Sequence, residues 1–499
     1  MSLRLNSAYV SIGALIRLAV SIISIPVLVR LLGLERYGAW IVLNSVVAIA
    51  GLLEFGLSTA LTNYLAADIA RKDWASAYQN LSTSLVLLTC LGCVAAVGLW
   101  LFSFGNPVLF GGGSNPEEAR IALVVLSWLL VARFWQQWAM SVEAALQRYD
   151  VQAIGDTAGA LAVQVGVMLL ALAGSRLGLL ATWLLFITSV TLVGHYIALR
   201  RLLHSNPVQF HFSKRNALTL CRFGIAQWIS SLGSSLFGNA DRIIVNFFLG
   251  PTAAGLYSAA TSVTIKINEL SAIPLRVIPP SLSAAKALSQ QSRVHQIFIR
   301  ATRLNNLSVF LIASPILFWS HPIARLLVGQ EYATQTATVL QILGLVYGLY
   351  SLCAAGFFTA IGIGQPVINA QWGLLAGLFA IVGFVMLTPR WGLIGAAWAN
   401  APYILILVIN LRVARLIDLN FGTYLRAFVP TVCMIIFWWL LSIGIANYSV
   451  PTGIWVVIFI LLEIIFVFLI SGLTFLQDFA STLLSLVQNF FPYTQAKRK

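Results

Sequence analysis

The sequence of 499 residues has few charged side chains and no polar stretch long enough to form a water-soluble domain. Only 9% of its residues are charged, against about 25% in typical soluble domains. Hydrophobic residues make up 59%, and the mean hydropathy is +0.90. Acidic residues are scarcest, with 15 Asp and Glu against 30 Lys and Arg. This composition excludes a soluble globular protein and indicates a chain that lies mostly within a membrane.

Sequence motifs for nucleotide, metal and hydrolytic chemistry are also missing. The chain has no G-x-x-x-x-G-K-[ST] loop, no H-E-x-x-H pair and no G-x-S-x-G elbow. Its one C-x-x-C, formed by Cys90 and Cys93, lies in an apolar segment without a second pair. The segments between apolar stretches are too short for the catalytic acids of a membrane glycosyltransferase. We therefore expect no enzyme, no catalytic residues and no metal site.

Apolar stretches of about 20 residues or more, the length of a membrane-crossing helix, recur along the whole chain. They predict an all-α polytopic membrane protein of about fourteen transmembrane helices. The predicted spans are residues 7–32, 38–67, 81–104, 119–140, 153–173, 177–200, 219–249, 252–282, 297–319, 333–362, 366–388, 393–416, 424–446 and 453–475.

Lys and Arg concentrate in alternate connecting segments, such as the segments that contain Arg71-Lys72 and Arg200-Arg201. Because positively charged loops favour the cytoplasm, we expect both termini there and a location in the bacterial inner membrane. Basic loops at this surface suit contact with anionic membrane lipids, so the net charge of +15 does not indicate a nucleic-acid partner.

A weak internal repeat relates the first six predicted helices to the next six. Leu32-Gly-Leu-Glu-Arg-Tyr-Gly-Ala-Trp40 is echoed by Leu249-Gly-Pro-Thr-Ala-Ala-Gly-Leu-Tyr257, with both glycines in register. Such parallel repeats are typical of transporters whose halves are related by an axis along the membrane normal. The predicted organisation is an N-terminal six-helix lobe (1–200), a cytoplasmic inter-lobe linker (201–218), a C-terminal six-helix lobe (219–416), two additional helices (417–476) and a cytoplasmic tail (477–499).

Ionisable side chains inside the predicted spans are the candidate functional residues, because each costs about 2.5 to 3.5 kcal/mol at mid-helix. Six are cations and three are acids, so positive charge remains for an anionic ligand. A diphosphate suits such a site, since guanidinium groups bind phosphate oxygens in pairs. Structural pairing between the acids and the cations is the alternative for each residue. The set is Arg17, Glu54, Arg133, Arg222, Asp241, Arg242, Lys266, Glu269 and Arg276.

The eighth predicted helix carries the densest group of these charges. Lys266, Glu269 and Arg276 are spaced so that they share one face of a continuous helix. Pro274 should bend this helix, and Pro279-Pro280 should end it near the cytoplasm.

Four segments in the same order resemble a known family. They are Pro26-Val-Leu-Val-Arg-Leu-Leu-Gly-Leu-Glu-Arg-Tyr-Gly38, Gly51-Leu-Leu-Glu-Phe-Gly-Leu57, Asp241-Arg-Ile-Ile-Val-Asn-Phe-Phe-Leu-Gly250 and Gly392-Leu-Ile-Gly-Ala-Ala-Trp398. Over most of its length the chain resembles the Wzx-type oligosaccharide flippases of the multidrug/oligosaccharidyl-lipid/polysaccharide exporter superfamily.

The resemblance implies two six-helix lobes in a MATE-like arrangement around a central cavity. It implies alternating-access transport of an undecaprenyl-diphosphate-linked oligosaccharide to the outer leaflet, for O-antigen, capsule or exopolysaccharide synthesis. Coupling to H+ or Na+ is implied, with polysaccharide polymerase and chain-length machinery as further partners. By the resemblance, the substrate diphosphate is held by Arg17, Arg133, Lys266 and Arg276. Ion coupling or charge pairing falls to Glu54, Asp241, Arg242 and Glu269.

Three alternatives stay open. A lipid II flippase would recognise the same diphosphate, so the sequence does not separate it from an oligosaccharide flippase. A multidrug cation antiporter of the same superfamily is expected to line its cavity with acidic groups, whereas the set here is net basic. The third alternative is a non-transporting membrane protein of envelope synthesis.

Overall fold

A computed structural model describes residues 3–105, 116–202, 212–429 and 431–432. All regular structure in these ranges is helical, as the sequence predicts. Three short 3-10 segments interrupt the α-helices, at Leu52–Glu54, Ile273–Val277 and Ala401–Leu407. The α-helices are α1 (Leu3–Gly51), α2 (Leu57–Arg71), α3 (Trp74–Phe102), α4 (Pro116–Ala145), α5 (Tyr149–Leu172), α6 (Leu177–Leu202), α7 (Lys214–Ser271), α8 (Ile278–Ala287), α9 (Gln291–Phe318), α10 (Ser320–Val328), α11 (Ala333–Ser351), α12 (Ala354–Gly362), α13 (Val367–Trp398), α14 (Val408–Leu416) and α15 (Phe421–Arg426).

Eight helical segments within the described ranges are long and apolar enough to cross a membrane. The segment Val367–Leu416, at 50 residues, far exceeds the roughly 20 residues of one crossing. The first twelve predicted spans fall on helical structure, and some continuous helices hold two of them. Of the last two predicted spans, most of 424–446 and all of 453–475 lie outside the described residues, as does the predicted tail. The chain is a multi-pass membrane protein.

Glycine breaks the two longest helices at equivalent points of the sequence repeat. In α1 the break is at Gly33, with φ 77° and ψ 160°, and in α7 it is at Gly250, with φ 83° and ψ 175°. Only glycine adopts this region of backbone conformation readily, because a side chain would clash with the chain itself. The two glycines therefore turn their chains in the same way, as the register of the repeat predicts.

Helix α7 touches α1, and the turn that follows α1, backbone to backbone at two levels. A side chain on Gly38 would overlap the Pro251 carbonyl, and a Cβ on Gly255 would lie 2.6 Å from the Leu34 carbonyl oxygen. At the second level, a Cβ on Gly224 would lie 2.7 Å from the carbonyl oxygen of Phe55.

The two levels lie far apart in depth. Between Gly38 and Gly56 the chain runs through thirteen residues of α1 and the three-residue 3-10 turn. These correspond to about 20 Å at 1.5 Å per residue and about 6 Å at 2.0 Å per residue. This separation is close to the thickness of a bilayer core, about 30 Å.

Two predicted helices differ in detail from the structure. The second predicted span, 38–67, is divided by the 3-10 turn Leu52–Glu54 and by left-handed backbone at Phe55. Pro274 lies in the 3-10 segment that follows α7, which confirms the predicted bend. The prediction that Pro279-Pro280 ends the helix is wrong, because both prolines lie in the first turn of α8. There the missing N–H of proline costs nothing, since first-turn amides have no partner within the helix.

A buried asparagine stabilises the break between α11 and α12, within the predicted span 333–362. The amide nitrogen of Asn410 donates to the carbonyl of Leu352 at 2.9 Å, and its oxygen accepts from the Gly356 amide at 2.9 Å. Helix ends leave such backbone groups without partners, and in a membrane an unpaired group is expensive. Asn410 of α14 therefore supplies from the side the hydrogen bonds that the interrupted helix lacks.

Candidate functional site: charged groups at the depth of the membrane

Arg17 of α1 is held by the neighbouring helix α5. Its Nη1 lies 2.9 Å from Oδ2 of Asp156 and donates to Oγ1 of Thr157 at 2.8 Å. The Arg17 side chain is 30% exposed and that of Asp156 is 42% exposed, so neither is sealed from a ligand. Arg17 is therefore a paired cation, and a stronger anion could displace Asp156 from it.

Lys266 and Glu269 form an ion pair within α7, with Nζ and Oε2 separated by 2.6 Å. The sequence predicted that Arg276 shares their helical face, and this prediction is wrong. Helix α7 ends at Ser271, and a 3-10 segment of different pitch follows it. The Arg276 side chain is exposed. Of the charges predicted to share one helical face, the structure thus brings together only Lys266 and Glu269.

Arg133 of α4 is the predicted phosphate ligand that is half-buried without a counter-charge. Within the ranges that the structure describes, no side chain forms an ion pair or hydrogen bond with its guanidinium. The flanking tryptophans are fixed, since Trp135 donates to Thr89 at 2.9 Å and Trp138 donates to Ser84 at 3.1 Å. A guanidinium that is partly desolvated and has no acidic partner favours binding of an anion.

Asp241 belongs to a buried hydrogen-bond network rather than to an open cavity. Its carboxylate accepts from the Tyr257 hydroxyl at 3.1 Å and from the Arg242 amide at 2.8 Å. The same hydroxyl accepts from the Asn400 side chain at 2.9 Å. Arg242 lies close enough to Tyr37 of α1 for electrostatic interaction. The network joins both segments of α7 to the end of α13.

Glu54 lies in the 3-10 turn between α1 and α2 and is half-buried. Its Oε2 accepts a hydrogen bond from the Ser58 hydroxyl at 2.8 Å. The same turn carries Phe55 and Gly56, which contact Gly224 of α7. Glu54 is therefore placed beside the backbone contact between this turn and α7.

Two acids at membrane depth are absent from the predicted set, and they reduce the predicted surplus of positive charge. Asp156 lies within the predicted span 153–173, so its apolar surroundings could have revealed it. Glu143 lies beyond the predicted span 119–140, whereas α4 continues to Ala145. The Glu143 carboxylate is buried against His195 of α6, with Oε1 and Nδ1 2.8 Å apart.

A cavity of about 300 Å³ lies among α7, α11, α12, α13 and the 3-10 segment after α13. Its walls are aromatic and apolar, with tyrosine hydroxyls and two asparagine side chains as the polar groups. None of the four predicted phosphate ligands lines it, although Asn268 of its wall lies between Lys266 and Glu269 in sequence. The lining includes Ile265, Asn268, Tyr347, Tyr350, Phe357, Asn369 and Tyr403.

The architecture matches solved transporters. The lipid II flippase MurJ, in an inward closed conformation, aligns with a TM-score of 0.72 at 14% identity, covering 94% of this chain and 99% of that one. An inward-facing MATE family multidrug transporter of the MOP superfamily aligns with a TM-score of 0.57 at 16% identity, covering 81% and 98%. At such low identity these likenesses show the fold alone. The chain is a polytopic membrane protein with the predicted MATE-like fold.

Sequence comparison then gives the family. The family model described as polysaccharide biosynthesis protein matches residues 3–286, more than half of the chain. The chain belongs to this family. A putative O-antigen transporter of Shigella flexneri is 23% identical over 405 residues, which cover 80% of this chain and 94% of that protein.

Proposed function

We propose that this protein is a flippase that moves an undecaprenyl-diphosphate-linked oligosaccharide from the cytoplasmic to the outer leaflet by alternating access. Family membership and the relative named as an O-antigen transporter support this cargo class. The MATE-like fold supports transport rather than catalysis. The product would serve O-antigen, capsule or exopolysaccharide synthesis.

The observation that carries the site proposal is the state of Arg133, which is half-buried without a described acidic partner. We assign it as the first ligand of the substrate diphosphate. Arg17 and Lys266 would join after Asp156 and Glu269 release them, because phosphate oxygens compete with carboxylates for the same donors. Arg276, which is exposed, would attract the diphosphate from the surface.

The proposal keeps the predicted lobes, 1–200 and 219–416, as the two moving bodies. It places both termini in the cytoplasm and the protein in the inner membrane, where lipid-linked precursors are made. An H+ or Na+ gradient would drive the cycle, and polymerase and chain-length machinery would receive the product. The paired acids, which include Glu54, Asp241 and Glu269, are available to couple ion binding to release of cations.

Replacing Arg133 tests the site directly. In a strain that depends on this gene for surface polysaccharide, Arg133→Ala should weaken binding of the diphosphate about 10- to 150-fold, the equivalent of about 1.5 to 3 kcal/mol for one charge-assisted hydrogen bond. Surface polysaccharide should fall accordingly while lipid-linked precursor accumulates. Arg133→Lys should retain part of the function, because it keeps the charge but loses the planar donor pair.

Arg120→Ala is the matched control for this experiment. Arg120 lies on the same helix but is exposed and paired with exposed Glu117, so its loss should leave export intact. Full export by Arg133→Ala at a normal membrane level would contradict the assignment of Arg133.

A further inference from the structure

We infer that Glu143 and His195 form a proton-binding site in the N-terminal half of the chain, which loads one proton per transport cycle. Glu143 of α4 is 0% exposed and His195 of α6 is 2% exposed, and their Oε1 and Nδ1 atoms lie 2.8 Å apart. The inference rests on the proposed function only in assuming that the bound proton is coupled to transport.

The pair has hydrogen-bonding capacity left on both sides. Neither Oε2 of Glu143 nor Nε2 of His195 has a partner among the described residues, and both atoms are buried. Buried polar atoms normally have partners, so an exception at a titratable pair indicates a functional role. When this region opens to water, these two atoms are the points at which a proton can enter or leave.

The chemistry of the pair suits H+ rather than a metal cation. One carboxylate and one imidazole share a single proton at no net charge, whereas a second proton or the loss of the first would leave an uncompensated charge in the protein interior. The closed pair therefore retains its proton, and a hydrated pair exchanges it. Imidazole is the side chain whose charge changes near physiological pH.

The charged groups around the pair already have partners. Asp150 at the start of α5 pairs with Arg148 at 2.9 Å. Arg148 lies in the turn after α4, where Asp150 and, to a smaller extent, Glu143 hold its pKa above the usual range. Asp156 of α5 pairs with Arg17 of α1. Asp68 of α2 accepts from Asn80 of α3 at 2.7 Å, and Arg200 lies further along α6. The nearest base for Glu143 is thus His195.

Direct contact links the pair to the candidate phosphate site. A Cβ on Gly155 of α5 would lie 2.8 Å from Cε1 of the His195 ring, so the ring rests on the helix backbone itself. The next residue along α5 is Asp156, the acid that holds Arg17. A change in the charge or hydration of the His195 ring therefore acts on the helix that holds or releases Arg17.

Infrared spectroscopy of the purified full-length protein in lipid tests proton binding, with the proton itself as the probe. The difference between the infrared spectra of wild type and Glu143→Gln isolates the signal of the Glu143 carboxyl. The difference between wild type and Glu117→Gln gives the signal of an exposed carboxyl as a control. In wild type, Glu143 should show the infrared signature of a carboxyl group that is hydrogen-bonded to His195. In His195→Asn, it should become a carboxylic acid, because a buried carboxylate without a cation binds a proton.

A shift of the Glu143 midpoint by at least tenfold in proton concentration between wild type and His195→Asn supports the inference. An unchanged midpoint, or one equal to that of Glu117, overturns it. Coupling is measured separately as surface polysaccharide against external pH. Glu143→Gln should lower export at least fivefold and remove its pH dependence, a result that simple destabilisation would not give.

The outcomes separate this inference from the proposed function. If Glu143→Gln exports with the wild-type pH profile, the pair is not coupled to transport and the inference fails. If the wild-type gene supports no surface polysaccharide at all, the proposed function fails, while the infrared result still decides whether the pair binds a proton. Gly155→Ala, which keeps both titratable groups but presses on the ring, should also alter the pH profile.

Discussion

The contact between Gly224 of α7 and the turn at Phe55 and Gly56 predicts how one substitution shifts the conformational equilibrium. In Gly224→Ala, the new Cβ would lie 2.7 Å from the Phe55 carbonyl oxygen. Its next neighbours, the Gly56 carbonyl carbon and the Leu57 nitrogen, are also backbone atoms that cannot rotate away. Overpacking of this kind costs about 1 to 3 kcal/mol. If α7 and the turn at Phe55 separate during transport, the cost falls only on the closed state.

That cost converts to a change in population. A penalty of about 1 to 3 kcal/mol shifts the ratio of closed to open molecules by about 5- to 150-fold. Native Cys221 reports the shift, because it lies one turn from Gly224 and packs in a buried cluster with Leu57 and Leu220. With Cys90, Cys93, Cys353 and Cys433 replaced by serine, labelling of Cys221 by a maleimide should accelerate about fivefold or more in Gly224→Ala.

Gly98→Ala is the matched control, since a Cβ at that helical glycine meets no atom within 4 Å. It should leave both the labelling rate and surface polysaccharide at the wild-type level. Gly224→Ala should lower export, because a protein held open on one side completes fewer cycles. Unchanged Cys221 labelling with full export would refute the hypothesis that this contact opens during transport.

Two further predictions concern the charged and polar networks. Arg17→Asp alone should lower the amount of protein in the membrane, and the double variant Arg17→Asp with Asp156→Arg should restore that amount. Surface polysaccharide should stay absent in the double variant. Restored export would show that the ion pair is only structural. Tyr257→Phe should destabilise the protein by about 1 to 3 kcal/mol, because it leaves Asp241 and the Asn400 amide short of a partner; thermal unfolding in detergent measures this, and an unchanged midpoint would contradict it.

The sequence predicted helices well because membrane crossing imposes a strong requirement on length and apolarity. It also placed a connection at each of these two breaks, since the predicted spans end at residues 32 and 249, next to Gly33 and Gly250. It could not show that α7 ends at Ser271, because the position of a break depends on packing as well as on Pro274. Because the end of α7 was not predicted, the sequence wrongly placed Lys266 and Arg276 on one continuous helical face.

Partners of the charges were harder to predict than the charges themselves. The ion pair of Arg17 joins residues 139 positions apart, and only the packing of α1 on α5 brings Asp156 into reach. Arg133 could be found by its position in an apolar span, but its lack of a described partner is a property of the folded bundle. The ion pair of Lys266 and Glu269 could be predicted from sequence, because oppositely charged residues three apart on one helix are neighbours.

The arrangement of the buried charges suggests why the N-terminal half would respond to substrate and proton together. Helix α5 carries Gly155 against His195 and Asp156 against Arg17, so one rigid element contacts both the proton pair and a candidate phosphate ligand. In the C-terminal half, the pair of Lys266 and Glu269 lies within a single helix. Movement of α5 can therefore exchange a carboxylate partner for a phosphate at Arg17, whereas the same exchange at Lys266 needs only a side-chain rotation.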